Sequence, residues 1–200
     1  MINDPVLVND WHPVATVEEL NGQNIVAAEL LAEDIVLWRA NGQTLAWQDL
    51  CIHRGTRLSL GQVVEGDQLE CPYHGWTYNA AGTCVRIPAH PEQTPPQKAR
   101  VRTYRAIERY GLIWVSLGDP EHDIPPFPEW DDDRFYKVIW GPKHVQASGP
   151  RIIENFLDVA HLPFVHEGIL GDSNRPEIGD YNVDAGAGGV ISSRIEVYQP

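Results

Sequence analysis

Four residues in two short motifs can do redox chemistry: Cys51-Ile52-His53 and, after 17 intervening residues, Cys71-Pro72-Tyr73-His74. Together they offer two thiolates and two imidazoles in a C-x-H…C-x-x-H frame. A binuclear [2Fe–2S] cluster uses such a set when two cysteines hold one iron and two histidines the other. Replacing half the thiolates by imidazoles raises the reduction potential to roughly −150 to +300 mV. A structural zinc ion is the competing reading. Zinc sites, however, usually pair like with like, cysteine with cysteine and histidine with histidine, and here each half is mixed. On the cluster reading the output is electron transfer.

A glycine follows each motif, in Arg54-Gly55 and in Gly75-Trp76. Glycine lets the backbone fold tightly enough to turn its N–H groups toward sulfur, and Pro72 stiffens the second loop. The stretches Cys51-Ile52-His53-Arg54-Gly55 and Cys71-Pro72-Tyr73-His74-Gly75-Trp76 resemble the cluster loops of Rieske-type proteins, specifically the Rieske non-haem iron oxygenases. High-potential Rieske proteins of respiratory complexes carry a further cysteine in each loop, joined as a disulfide. The comparable places here are Thr56 and Tyr73, which favours the oxygenase branch.

A second set of donors begins about 90 residues later. Glu154 to His161 contains no Gly or Pro, and Asn155, Asp158 and His161 are spaced by three, so a helix over 150–161 would put them on one face. His166 comes five residues after His161, past Pro163, which would end or bend that helix and swing the second imidazole beside the first. Two histidines and one carboxylate on one side of an iron make the facial triad of non-haem Fe(II) oxygenases, with positions left open for dioxygen. The pattern N-x-x-D-x-x-H-x-x-x-x-H resembles the mononuclear-iron motif of the same family, in the same order along the chain.

The resemblance implies roles residue by residue. Cys51 and Cys71 bind one cluster iron, His53 and His74 the other, and His161 and His166 the catalytic Fe(II). Asp158 is a bridge, hydrogen-bonding His161 and, across a subunit boundary, the His74 side of a neighbouring copy. A carboxylate there accepts the free ring N–H of each imidazole, fixes both tautomers and makes a short path for an electron. Asn155 lies close to the iron without binding it. Such a path implies a ring-shaped homo-oligomer, in this family most often a homotrimer. The third iron ligand is expected beyond Pro200, because Asp172, Glu177, Asp180, Asp184 and Glu196 follow His166 too soon to match. The 200 residues are therefore expected to be the N-terminal part of a longer subunit.

The elements that must position these residues read as β-rich α+β. From Trp11 to Leu117 short strands alternate with turns: Ile35–Arg39, an Asn41-Gly42 hairpin, then Thr44–Trp47. Further turns are expected at Gly61–Gly66 and Asn79–Gly82, a strand at Gly111–Leu117, a short helical turn at Val17–Leu20 and a core position for Cys84. Arg100 and Arg102 alternate around Val101 as on one face of a strand. Residues 119–134 hold four prolines with the neighbouring acids and read as an extended, acidic linker. Beyond it a strand is expected at Tyr136–Trp140, the helix over 150–161, a glycine-rich turn region at Gly179–Gly189 and a strand at Val190–Val197. The resemblance turns this into an antiparallel β Rieske [2Fe–2S] domain over 8–118, the linker, and over 135–200 the start of a helix-grip catalytic domain.

Net charge is −13, divided as −4 over residues 1–118 and −9 over 119–200, which argues against a nucleic-acid binder. Lys98, Arg100, Arg102, Arg105 and Arg109 form a local basic cluster that would suit an acidic ferredoxin or reductase, or simply a solvated face. No run approaches the ~20 apolar residues of a membrane span, and residues 1–11 lack a signal-peptide pattern. Three cysteines, two of them committed to iron, leave Cys84 unpaired, so a reducing, cytoplasmic setting is expected.

The family resemblance further implies that NAD(P)H electrons arrive through a separate flavin reductase, with or without a ferredoxin. No G-x-G-x-x-G opens a βα unit to bind NAD here. The outcome is hydroxylation, ring dihydroxylation or dealkylation of a small, cyclic or aromatic substrate. The two-residue gap between Asn155 and Asp158 is closer to the monooxygenase and demethylase branch, exemplified by vanillate demethylases. Ile87–Pro91 and Phe127–Asp131 also resemble the Rieske hydroxylases that tailor paralytic shellfish toxins. A Rieske electron carrier without oxygenase activity and a zinc-stabilised binding module stand as alternatives.

Overall fold

The run Ile35-Val36-Leu37-Trp38 shows no polar alternation because both faces of its strand are covered. The computed structural model describes residues 2, 4–186 and 189–200. A short helix α1 (Pro5–Val8) leads to β1 (His12–Thr16), α2 (Val17–Gln23), β2 (Ile25–Leu30), β3 (Glu33–Ala40) and β4 (Gln43–Gln48). Four short strands follow, β5 (Gln62–Val64), β6 (Gln68–Glu70), β7 (Thr77–Asn79) and β8 (Cys84–Arg86), and then a long hairpin of β9 (Thr103–Arg109) and β10 (Leu112–Ser116). They make two antiparallel sheets, ordered β1-β10-β9-β4-β3-β2 and β5-β6-β7-β8.

Val36, Trp38 and Ala40 of β3 face one core with Trp47, Leu69, Tyr78 and all three cysteines. Ile35 and Leu37 face a second core with Leu20, Val26, Ile113 and Val115. A buried Leu, Ile or Val contributes about 1.5–3 kcal/mol, against about 0.5–1.5 kcal/mol net for one hydrogen bond. A one-residue slip of β3 would exchange the two cores, so side-chain packing sets its register. The hairpin signal at Asn41-Gly42 is realised, both residues having positive φ, 48° and 81°. Thr16 caps α2 through its Oγ1, which accepts from Glu19 N at 3.0 Å, and the helical turn expected at Val17–Leu20 runs on to Gln23.

Several expected elements differ. Gly61–Gly66 is not all turn, since β5 lies inside it and pairs with β6. The acidic linker is not simply extended. Pro128–Asp131 forms a 3-10 turn, and the stretch is fastened to the β9–β10 hairpin as a strap. Arg105 pairs with Asp119 at 2.5 Å and Arg109 with Asp123 at 3.0 Å. Tyr110 Oη accepts from Phe127 N at 2.8 Å and donates to Pro125 O at 3.2 Å. Arg105 and Arg109 are thus taken out of the basic cluster by acids of the strap. Tyr136–Trp140 is not a strand, and no strand among the described residues pairs with it; Trp140 is 81% exposed. Contacts divide the chain at Lys143/His144.

The second unit contains α3 (Gly149–Leu157), α4 (Leu162–Val165) and a hairpin of β11 (Asn182–Gly186) and β12 (Gly189–Ser193). β11 occupies part of the expected glycine-rich turn, whose Ala187 and Gly188 lie outside the described residues, and the strand expected over Val190–Val197 ends at Ser193. The expected helix over 150–161 stops at Leu157, with Asp158 in an extended conformation as its C-cap. Asn155, Asp158 and His161 therefore do not share one helical face. No helix among the described residues is long and apolar enough to cross a membrane.

Candidate metal centres

Both cysteine–histidine loops close by the same backbone rule. Cys51 N donates to Thr56 O at 2.8 Å and Gly55 N to Cys51 O at 2.8 Å; Cys71 N donates to Trp76 O at 2.9 Å and Gly75 N to Cys71 O at 3.0 Å. Each cysteine thus grips the residues four and five positions on. That reversal needs a positive φ at the fourth, met by Gly55 at 75° and Gly75 at 67°. At Gly75 a Cβ would also stand 3.0 Å from Pro88 Cγ. Pro88 belongs to the Ile87–Pro91 stretch, so that stretch buttresses the second loop.

The loops bring the expected donors together in like pairs, cysteine with cysteine and histidine with histidine, and among the described residues no three His, Cys, Asp or Glu gather closely enough to hold a single metal ion. Cys51 and Cys71 are buried, unpaired by disulfide, and within hydrogen-bonding reach of each other. Burial raises the Cys71 thiol, opposed chiefly by a hydrogen bond from Tyr73 N–H and then one from His74 N–H. These amides already face the sulfur, the role the glycine-turned backbone was expected to play. The His53 and His74 rings lie 4.6 Å apart, and His53 stacks flat on Trp76 at 4.4 Å and 3°. Burial, then the charges of His74 and Arg54, lower His53, which favours the neutral imidazole that metals bind.

The donor set fits a [2Fe–2S] cluster. His53 Nδ1 is buried with no hydrogen-bond partner, a costly state for a polar atom unless something ligates it. Two further residues line the surroundings: Tyr78, which sequence reasoning passed over, and Trp76, which it named only as part of the motif. Tyr78, fully buried, places its Oη 3.2 Å from Cys51 Sγ. Burial first, and the hydrogen bond with Cys51 next, push its phenol up, so it stays a neutral donor to sulfur. Trp76 supplies the stacking plane for His53. In sequence Tyr78 is only the inward residue of a short strand, and nothing in the alternation separates it from an ordinary core tyrosine.

In the second unit Asp158 ends α3 because its own side chain competes for the backbone. Asp158 Oδ1 accepts from Ala160 N at 2.7 Å, and Oδ2 lies 3.2 Å from His161 Nδ1. His161 then leads into α4, whose turn carries His166 back, and the two rings sit 5.3 Å apart. Pro163 lies inside the first turn of α4, where a missing N–H is harmless, rather than at the end of the longer helix. It packs against Gly171, where a Cβ would come 2.6 Å from Pro163 Cα. The structure thus joins Asp158, His161 and His166. Asn155 is exposed on α3 and, among the described residues, hydrogen-bonds neither imidazole. Among the described residues no third His, Cys, Asp or Glu gathers with the two histidines as a ligand set.

Residues 10–105 match the Rieske [2Fe-2S] domain, and residues 145–199 the vanillate O-demethylase oxygenase C-terminal domain. The chain is 41% identical over 187 residues to methylxanthine N1-demethylase NdmA of Pseudomonas putida, which covers 88% of this chain and 53% of NdmA. The structure of NdmA with caffeine superposes with a TM-score of 0.86 at 36% identity, covering 98% of this chain and 58% of that one. Dicamba monooxygenase bound to dicamba gives 0.78 at 30% identity, covering 93% of this chain and 56% of that one. A 134-residue stretch is 44% identical to oxidoreductase NdmD of Pseudomonas putida, covering 66% of this chain and 22% of NdmD. The chain spans about half the length of NdmA. With a Rieske [2Fe-2S] domain and a vanillate O-demethylase oxygenase C-terminal domain matched in this order, the chain belongs to the Rieske-type non-haem iron oxygenases, on the demethylase-like branch.

Proposed function

We propose that this chain works in the oxygenase component of a Rieske system that hydroxylates or oxidatively demethylates a small, planar, cyclic or aromatic substrate. The observation that carries the reading is the pair of congruent loops, which hold two buried, unpaired cysteines and, among the described residues, a buried His53 Nδ1 without a hydrogen-bond partner. Cys51 and Cys71 would hold one cluster iron and His53 and His74 the other, giving a one-electron relay. His161 and His166 would hold the Fe(II), which supplies dioxygen activation. For an N-methyl substrate the balance is R₂N–CH₃ + O₂ + 2e⁻ + 2H⁺ → R₂N–H + CH₂O + H₂O, through a hydroxymethyl product that loses formaldehyde.

This chain's own residues orient the donors. Trp76 fixes the plane of His53, the amides of Tyr73 and His74 steady the Cys71 sulfur, and Asp158 accepts from His161 Nδ1–H so that its other nitrogen faces the metal. Asp158 also has a second acceptor face, which suits a bridge to the His74 side of a neighbouring copy in a homotrimer. Asn155 is assigned a place near the iron without ligation. We place the protein in the cytoplasm, where buried, unpaired cysteines stay reduced.

The electrons are assigned to a separate NAD(P)H-dependent flavin reductase, with or without a ferredoxin, landing on what remains of the basic cluster. Lys98, Arg100 and Arg102 are exposed at alternating positions, while Ala99 and Val101 between them are buried in the core that holds the cysteines. Arg100 makes only an isolated bridge to Thr83 and Arg102 precedes β9, so this ridge is extended but not a full strand. A Rieske electron carrier is the second reading, favoured by the match to NdmD; it leaves the Asp158–His161–His166 grouping without a role.

Iron, acid-labile sulfide and the EPR spectrum of anaerobically purified, dithionite-reduced protein test the function. Two irons and two sulfides with a low-average-g signal, plus a third iron and formaldehyde release from a methylxanthine in a full-length form, are expected. Zinc without sulfide overturns the reading, and two irons in every form leaves the carrier.

Removing the Tyr78 hydroxyl should lower the cluster's midpoint potential, because a hydrogen bond to ligand sulfur favours the reduced state. For Tyr78→Phe the expected shift is on the order of 59 mV, tenfold in a one-electron equilibrium, with cluster content kept. An unchanged redox titration would show that the hydrogen bond does not tune the site.

Asp158→Ala should leave both metal sites filled yet uncouple them. Single-turnover rapid mixing of a full-length form should show the reduced cluster failing to pass its electron on; wild-type transfer would sink the bridging role. Reversing the ridge (Lys98→Glu, Arg100→Glu, Arg102→Glu) should slow reduction by an acidic plant-type ferredoxin about tenfold or more at low salt, with dithionite reduction unaffected. Equal ferredoxin rates in both proteins would rule the ridge out as the landing face.

A further inference from the structure

The two loops share their inner backbone hydrogen bonds but are held from outside in different ways. Asp49, two residues before Cys51 and just past β4, is 2% exposed. Its carboxylate accepts from Ser59 N at 2.7 Å and from Ser59 Oγ at 2.6 Å, and its own N–H donates to Asp34 O at 2.9 Å. Residues 49–59 thus form a closed ring of chain that contains Cys51 and His53 and is anchored at the end of the β3–β4 hairpin. Leu58, fully buried, pins the ring between the clasp and the core. An exposed ion pair, Arg57 Nη2 to Asp34 Oδ2 at 2.8 Å, adds a second fastening.

Among the described residues no acid closes the second loop on itself; Glu70, just before Cys71, instead accepts from Gln62 Nε2 at 2.9 Å and pairs with Arg86 Nη1 at 3.6 Å, both outside the loop. That loop is held by Pro88 against Gly75 and by Thr77 Oγ1 donating to Gly75 O at 3.0 Å. We infer that Asp49 is a positioning residue for the iron–sulfur site: its clasp on Ser59 keeps Cys51 and His53 in ligating position. A buried carboxylate without partners is costly, and Ser59 supplies two donors at once, so neither residue can leave without stranding the other. An exposed pair such as Arg57–Asp34 holds weakly, and the burden falls on Asp49. When the clasp is cut, the Cys51–His53 half of the site opens while the Cys71–His74 half stays in place. The inference rests on the Rieske reading above.

The test measures iron release from the loaded protein to bathophenanthroline, followed by absorbance, beside EPR line shape and thermal unfolding. Asp49→Asn keeps one oxygen to accept from Ser59 N and turns an amide N–H toward Ser59 Oγ, which can accept in its turn, so both links of the clasp survive and wild-type cluster content, line shape and release rate are expected. Asp49→Ala should release iron at least tenfold faster with a broadened signal, and Ser59→Ala, which keeps one of the two bonds, should fall between. Arg57→Gln should change the rate less than twofold. Wild-type release from Asp49→Ala, or from Ser59→Ala if Asp49→Ala fails to fold, overturns the inference, as does failure of Asp49→Asn to restore the rate. A wild-type protein that holds no iron or sulfide refutes the Rieske reading itself, before any variant is compared.

Discussion

The structure turns on one constraint: two sulfurs are buried under hydrogen bonds from loop and core, and beside this framework an imidazole nitrogen is buried with no partner among the described residues. Cys51 and Cys71 lie in the core, and His53 Nδ1 has no hydrogen-bond partner. Polar atoms are normally buried only when satisfied, and here the loops that bury them are built so that satisfaction comes from a ligand. The tight reversals at Gly55 and Gly75 exist to point these atoms at one another, and the amides of Tyr73 and His74 serve the sulfur rather than the turn.

The sheets serve that constraint. β6 delivers the chain to Cys71 and β4 to the Asp49–Cys51 segment, while the core behind them couples Trp38, Trp47 and Tyr78, whose rings meet edge to face. Tyr78 spans from this packed core to Cys51 Sγ. The geometry of the loops is therefore tied to the same apolar contacts that stabilise the domain, and a shift of β7 would be felt at the sulfur. The strap adds order on another face, where Arg105, Arg109 and Tyr110 bind it down.

The second unit follows another economy. Asp158 both stops α3 and orients His161, because a short carboxylate side chain reaches its own backbone two residues on and the imidazole three residues on. One residue thus sets the end of an element and the tautomer of a candidate ligand.

The donors and the motif order were legible in the sequence, because ligand chemistry depends on residue type and short spacing, which the chain carries locally. So were the Asn41-Gly42 turn and the strands on either side of it, each written in a few adjacent residues. The end of α3, the strap and the unpaired stretch Tyr136–Trp140 were not. Helical spacing at Asn155, Asp158 and His161 looks continuous until the Asp158 carboxylate captures Ala160 N, and an alternating apolar run becomes a strand only when a partner lies beside it. Tyr78 and Asp49 were equally hidden, since their roles come from atoms 27 and 10 residues away in sequence. Residue types alone determined what this protein can bind; which side chains hold the binding atoms in place was decided only by long-range packing, because buried hydrogen bonds between distant segments leave no periodic trace in the chain.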